Sequence, residues 1–196
     1  RDRSVSRGLG DVYKRQGLGE VVKFNIMAGE HGLKNIEDNI DRLLARDEDC
    51  LKQFVYSSLE FKKGFIEVDE FDRGERIKLN FAHTFGHAIE TVTGYEIPHG
   101  TAVAIGMIMA NRVAERRGML DSEIARRSEK VLLRVIHIGI DLNEYPLERF
   151  ISAMRKDKKQ TSEHLTAVLM TNVAKDLKIV HDVQIEEVAD ARDYFE

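Results

Sequence analysis

The chain is short of the residues that interrupt or cross-link a fold. It has two prolines, Pro98 and Pro146, one cysteine, Cys50, and no tryptophan. With so few breakers, long helices are the natural reading for most of its 196 residues. A single cysteine excludes an intramolecular disulfide and fits a reducing cytoplasm. No apolar run approaches the roughly 20 residues that a membrane span requires. Neither sign of charge dominates: 30 Lys and Arg stand against 34 Asp and Glu, a net charge of −4, which leaves no footprint for nucleic acid or an anionic membrane. A Gly-rich turn following a strand, the usual cradle of a dinucleotide, is also missing.

What remains is 42% hydrophobic and 33% charged, the composition of a globular domain with a real core. Arg1 to Gln16 differ in composition from the rest of the chain and read as a lead segment, either disordered or a cloning or sequencing scar. From Gly17 onward the spacing predicts a mainly α protein, a helical bundle. A buried helix or helix start falls over Gly17 to Gly29, and helices over Asn35 to Leu44 and Asp49 to Lys63. Phe65 to Glu75 reads as an acidic loop able to close back on a site. Asn80 to Thr93 reads as a helix stopped by Gly94. Gly100 to Arg117 is apolar on most sides and belongs at the centre of the bundle. Two amphipathic helices follow, over Asp121 to Ile138 and Pro146 to Arg155. Leu165 to Met170 and Leu177 to Val183 are β-branched and apolar, suited to a short hairpin or to packed extended segments.

The chemistry concentrates in Leu79-Asn-Phe-Ala-His-Thr-Phe-Gly-His-Ala-Ile-Glu90 and Ile97-Pro-His-Gly-Thr-Ala-Val-Ala-Ile-Gly-Met107. His83 and His87, four apart, share a helix face, and His99 returns to it after the break at Gly94 and Pro98. Such a gathering suits a zinc-type ion, with Glu20 as a carboxylate to complete an open site. Structural histidines and a surface Glu20–Lys23 pair are the plainer alternative. Lys62, Lys63 and the knot Lys156-Asp-Lys-Lys159 are either solvated charge or anion-binding groups.

In order and spacing these segments resemble the C-terminal, metal-binding domain of the dehydroquinate synthase family, within the sugar-phosphate cyclases. Gly17-Leu-Gly-Glu-Val-Val-Lys23, Arg76, Leu79 to Glu90, His99-Gly100 with Ala102 to Met107, and Met154 with Asp157-Lys-Lys159 carry the resemblance. It implies a chain matching the C-terminal half of an α/β + α fold, residues 17–196, without the N-terminal NAD-binding domain. It also implies Zn2+ (or Co2+) on Glu20, His83 and His99, and a substrate pocket of Lys23, Lys62, Arg76, Asn80 and His87. Lys62 and Arg76 would take a carboxylate; Asn80, His87 and one of Lys158 or Lys159 would take a phosphate. The implied reaction cyclises a seven-carbon keto-acid sugar phosphate to 3-dehydroquinate with loss of phosphate, using NAD, in a cytoplasmic homodimer. The chain by itself is expected not to turn over. Three departures from the family pattern stand out: Ala82 for Gly, Thr101 for Glu, and a segment Ala167 to Ala174 without Pro or Gly. A related cyclase, a polyol dehydrogenase of the glycerol dehydrogenase type and a non-catalytic helical binding protein are the competing readings.

Overall fold

The computed structural model describes residues 17–71, 74–136, 138–156, 164–171 and 176–192. These residues form eight α-helices and one hairpin in the order α1 (residues 17–27), α2 (Glu30–Leu44), α3 (Glu48–Val68), α4 (His83–Val92), α5 (His99–Arg116), α6 (Ser122–Val135), α7 (Leu147–Arg155), β1 (Leu165–Met170), β2 (Leu177–Val183) and α8 (Ile185–Arg192). Short 3-10 turns, Glu75–Asn80 and Leu142–Glu144, precede α4 and α7. The lead segment, Lys158 and Lys159 lie outside the described residues. Among the described residues no helix is long and apolar enough to cross a membrane.

Helix α5 is the axis. Every residue from Gly100 to Ala114 is buried, as its all-round apolar sequence predicts. Helices α4, α6 and α8 and strand β1 all pack on it, and α7 packs on α4. Its end is set by Gly118, at φ 65°, with the Met119 N–H reaching back to the Ala114 carbonyl at 2.8 Å. Gly94, at φ 61°, closes α4 in the same way, and Tyr95 N–H bonds the Glu90 carbonyl at 2.7 Å. Both are Schellman turns, where a left-handed residue favours glycine. The hairpin is antiparallel, with an irregularity between Leu165 and Ala167, and all of β1 is buried.

Two segments differ from their sequence reading. Phe65 to Val68 are not loop but the last turn of α3, and α3 passes Lys63 without a stop. Gly64 costs a helix only about 1 kcal/mol, and Phe61 packs at a tilt against Phe65 one turn later, with centroids 5.2 Å apart. Past α3, the Asp69 carboxylate accepts from the backbone N–H of Gly74 and Arg76. The second difference is at Asn80, which ends a 3-10 turn and does not begin α4. Phe81 is extended and Ala82 is left-handed, at φ 71°, so α4 starts at His83. The buried Lys23 ammonium donates to the Leu79 carbonyl at 3.3 Å. That acceptor would serve His83 N–H in an unbroken helix, so the kink is imposed by a tertiary contact.

Backbone strain at Ala82 yields a quantitative expectation. A left-handed alanine costs roughly 1–2 kcal/mol. Replacing it with glycine removes that strain but loses a buried methyl, about 0.8 kcal/mol, and about 0.5–1 kcal/mol of chain entropy. Ala82→Gly should therefore change stability by less than about 1 kcal/mol in a urea melt. The same swap at Ala104, buried inside α5, should cost about 2 kcal/mol; equal losses at both positions would contradict the strain.

At the far end of α5, Arg117 clamps β2 and α8. It donates to Glu187 at 2.6 Å and to the Asp182 carboxylate at 2.8 Å. The guanidinium holds both carboxyls below their ordinary range. Depressed folded values stabilise above the unfolded pKa, about 4, and that contribution drains as pH falls through the folded values. Arg117→Met should lower Tm at pH 7 and lose most of that effect at pH 2.5; an equal loss at both pH values would contradict the ionic origin.

Candidate metal centre

Three helices meet at their ends to form the site. Glu20 and Lys23 come from α1, His83 and His87 from the first turns of α4, and His99 is the first residue of α5. Glycine makes the meeting possible. A Cβ on Gly19 would lie 2.2 Å from the Gly100 carbonyl oxygen, and one on Gly106 would lie 2.5 Å from that of Ala82. Backbone therefore touches backbone, and the residues beside the contacts, Glu20, His99 and His83, are drawn together.

Ligand atoms of Glu20, His83 and His99 lie within 4.8 Å of one another. Both histidines turn Nε2 toward Glu20 Oε1, at 3.3 Å for His83 and 3.6 Å for His99. Their Nδ1 atoms are occupied elsewhere: His83 Nδ1 faces the Phe81 carbonyl at 3.2 Å and His99 Nδ1 faces Glu90 Oε1 at 3.1 Å. With the proton on Nδ1, where the Phe81 carbonyl and the Glu90 carboxylate can accept it, the Nε2 lone pairs point at the centre. Lys23 Nζ also lies 3.3 Å from His83 Nδ1. It is a donor, so with Nδ1 protonated toward Phe81 it is left to Leu79 and to Glu20 Oε2, at 2.9 Å.

Burial opposes the charge on Glu20, but the imidazoles of His83 and His99, when they carry a proton on Nε2, and the Lys23 ammonium outweigh it and hold the carboxyl far below its usual range. Burial pushes Lys23 down; Glu20 opposes that, and Lys62 reinforces it. His99 is raised, chiefly by Glu20, against burial and with help from Glu90.

These residues fit a divalent ion. Glu20 Oε1 is buried and makes no hydrogen bond, although two imidazole nitrogens face it. A buried carboxylate oxygen without a partner is costly. Two imidazoles and a carboxylate form an open zinc-type donor set with room for a further ligand. His87 borders the set, its ring 5.3 Å from that of His83 and 6.1 Å from that of His99.

Other expected site residues stand apart in this arrangement. The Arg76 guanidinium donates to the Glu70 carbonyl at 2.8 Å, and the Asn80 amide donates to Ile77 at 2.8 Å. Lys62, exposed on α3, is close enough to influence Lys23. Glu90 was not singled out by sequence reasoning. Its signal was present: it follows His83 by seven residues and His87 by three, which on a helix places all three along one face.

Residues 17–160 match the family model described as 3-dehydroquinate synthase C-terminal. The chain is 39% identical over 171 residues to the 3-dehydroquinate synthase of Acinetobacter baumannii (strain AYE), covering 87% of this chain and 47% of that one. Among solved structures, it resembles 2-epi-5-epi-valiolone synthase from Streptomyces hygroscopicus subsp. jinggangensis 5008, with NAD+ and Zn2+ bound. The TM-score is 0.75 at 20% identity, over 91% of this chain and 49% of the other. A 2-deoxy-scyllo-inosose synthase complexed with carbaglucose-6-phosphate, NAD+ and Co2+ gives a TM-score of 0.72 at 19% identity, over 91% and 52%. At these identities the structural matches establish the fold alone. The chain spans about half the length of the relatives it matches. By the extent of the family match and the identity to the Acinetobacter enzyme, the chain belongs to the 3-dehydroquinate synthase C-terminal family.

Proposed function

We propose that this chain is the metal- and substrate-binding part of a 3-dehydroquinate synthase, an enzyme converting 3-deoxy-D-arabino-heptulosonate 7-phosphate to 3-dehydroquinate and phosphate. The observation that carries the reading is the buried, unpartnered Glu20 Oε1 with two imidazole Nε2 atoms directed at it. The named relative supports the reaction, and the metals in the two cyclase structures, Zn2+ and Co2+, support the kind of ion.

Glu20, His83 and His99 would hold the ion, which when bound acidifies a hydroxyl and stabilises negative charge on oxygen. Lys23 fixes the Glu20 carboxylate and supplies positive charge beside the ring of His83. His87 stands at the open edge, where an imidazole can donate to or accept from a phosphate oxygen. Lys62 adds cationic charge on the α3 side, and Arg76 and Asn80 reach a ligand only by exchanging their present backbone carbonyl partners. One of Lys158 or Lys159 remains assigned to the phosphate end by resemblance.

The described residues do not fit NAD. Their only sheet is an antiparallel pair, whereas a dinucleotide is held at the end of a parallel strand by a Gly-rich turn. No step through the nucleotide is assigned to these residues.

Two outcomes test the reading. The purified chain should take up about one equivalent of zinc, and 100 Kd of free ion should stabilise it by about 2.7 kcal/mol, visible as a Tm rise that EDTA reverses. His83→Ala and His99→Ala should abolish that rise, and a chain that melts identically with and without zinc would sink the proposal. Supplied with zinc, NAD and the heptulosonate phosphate, the chain alone should release no phosphate; sustained phosphate and 3-dehydroquinate production would show that it carries the whole activity.

A further inference from the structure

The two imidazoles of the centre are oriented by different means. His83 lies after a kink, where the Phe81 carbonyl is free to accept its Nδ1–H at 3.2 Å. His99 has no such acceptor on its own helix. It is the first residue of α5, and the first turn of a helix presents unsatisfied N–H donors rather than carbonyls. The positive end of the helix also disfavours a charged imidazolium there. A neighbouring element has to supply an acceptor and negative charge, and α4 does so through Glu90.

Three observations converge on Glu90. Its Oε1 lies 3.1 Å from His99 Nδ1. Its side chain is only 12% exposed, against 35% for His99, so the carboxylate is the better fixed of the two. The Schellman turn that ends α4 anchors it, because the Glu90 carbonyl accepts the Tyr95 N–H at 2.7 Å. That turn also begins the connection leading to Pro98 and His99. The donor set of His87, Glu90 and His99 is close enough to be mistaken for a second metal site. Placing an ion there would require His99 to give up its Nδ1 proton while Nε2 serves Glu20 and the first ion.

We propose that Glu90 is a positioning residue for the metal centre, accepting the Nδ1 proton of His99 so that Nε2 is held as a ligand toward Glu20. The inference rests on the metal-centre reading above and deepens it. Glu90 acts through His99 and touches neither the ion nor the substrate. An ion-pair partner that merely staples α4 to α5 would change melting temperature in the metal-free chain and leave zinc affinity alone.

The experiment is zinc titration of the full chain against a chromophoric chelator, for the parent, Glu90→Gln, Glu90→Ala and His99→Ala, with metal-free melts of each. Orienting partners of ligand histidines typically contribute 10–100-fold in metal affinity. Glu90→Ala should weaken zinc by about that factor. Glu90→Gln, which keeps an acceptor oxygen and loses the charge, should recover part of it. Stoichiometry should stay near one throughout, and the visible spectrum of the Co2+-loaded chain should shift in both Glu90 variants. Parent-like affinity in both variants would overturn the proposal. So would a parent binding two ions and a Glu90→Gln chain binding one with undiminished affinity, which would make Glu90 a ligand. A parent that binds no zinc would instead remove the metal-centre reading itself. If Glu90→Ala does not fold, Glu90→Gln carries the test through the same titration.

Discussion

Backbone contact between helices is the constraint on which this structure depends. Helices packed through side chains run 8–10 Å apart, and at this site backbone lies directly against backbone instead. Here α1 meets α5 at Gly19 and Gly100, and the turn before α4 meets α5 at Ala82 and Gly106, with no room for a Cβ at Gly19 or Gly106. Each proposed ligand is the immediate neighbour of a contact residue: Glu20 follows Gly19, His99 precedes Gly100, and His83 follows Ala82. The metal set is thus a by-product of where the backbones touch. The buried length of α5 is the rigid element that keeps those contacts in register.

The same geometry explains the left-handed Ala82. For His83 to open α4 with its ring turned toward Glu20 of α1, the chain leaves helical geometry at Phe81 and Ala82. An alanine tolerates that conformation poorly, yet the position is buried and its carbonyl lies against Gly106. Lys23 supports the break by occupying the Leu79 carbonyl. One buried lysine therefore links the kink to the carboxylate ligand, and strain near the site is sustained by contacts that also define the site.

The legibility of the sequence divides along physical lines. The His83, His87 and His99 cluster was readable because it depends on local helical spacing and one obvious break. The centrality of α5 was readable because an all-round apolar helix has no other place to go. Glu20 was a weaker inference, since its partners lie more than sixty residues away and only the fold sets their distance. The kink at Phe81 and Ala82 was not readable: Leu-Asn-Phe-Ala contains no breaker, and the interruption comes from Lys23. The end of α3 was misplaced because Lys62-Lys63-Gly64 resembles a stop, while the Phe61–Phe65 pair that carries the helix onward acts one turn later. The hairpin was an open alternative that pairing of Leu165–Met170 with Leu177–Val183 decides. Roles for Lys62, Arg76 and Asn80 came from resemblance, and the present hydrogen bonds of Arg76 and Asn80 reflect neighbouring backbone rather than a ligand.

The division of labour within the Glu20 carboxylate follows from these contacts. Oε2 is fixed by Lys23 at 2.9 Å, and Oε1 is turned to the imidazoles and left without a hydrogen bond. Lys23 is 1% exposed, so its buried ammonium relies on the facing Glu20 carboxylate, with the Leu79 carbonyl as a further acceptor. Reciprocally, Lys23 prevents the carboxylate from rotating to give both oxygens to the centre. The arrangement favours one oxygen toward an ion, which keeps its coordination low and leaves a position open. An open position bordered by His87 and approached by Lys62 is one that an anionic, oxygen-rich substrate can enter. In the proposed centre the buried Glu20–Lys23 pair, easily taken for an ordinary ion pair one helical turn apart, would set both how many carboxylate oxygens face an ion and which side of it stays open.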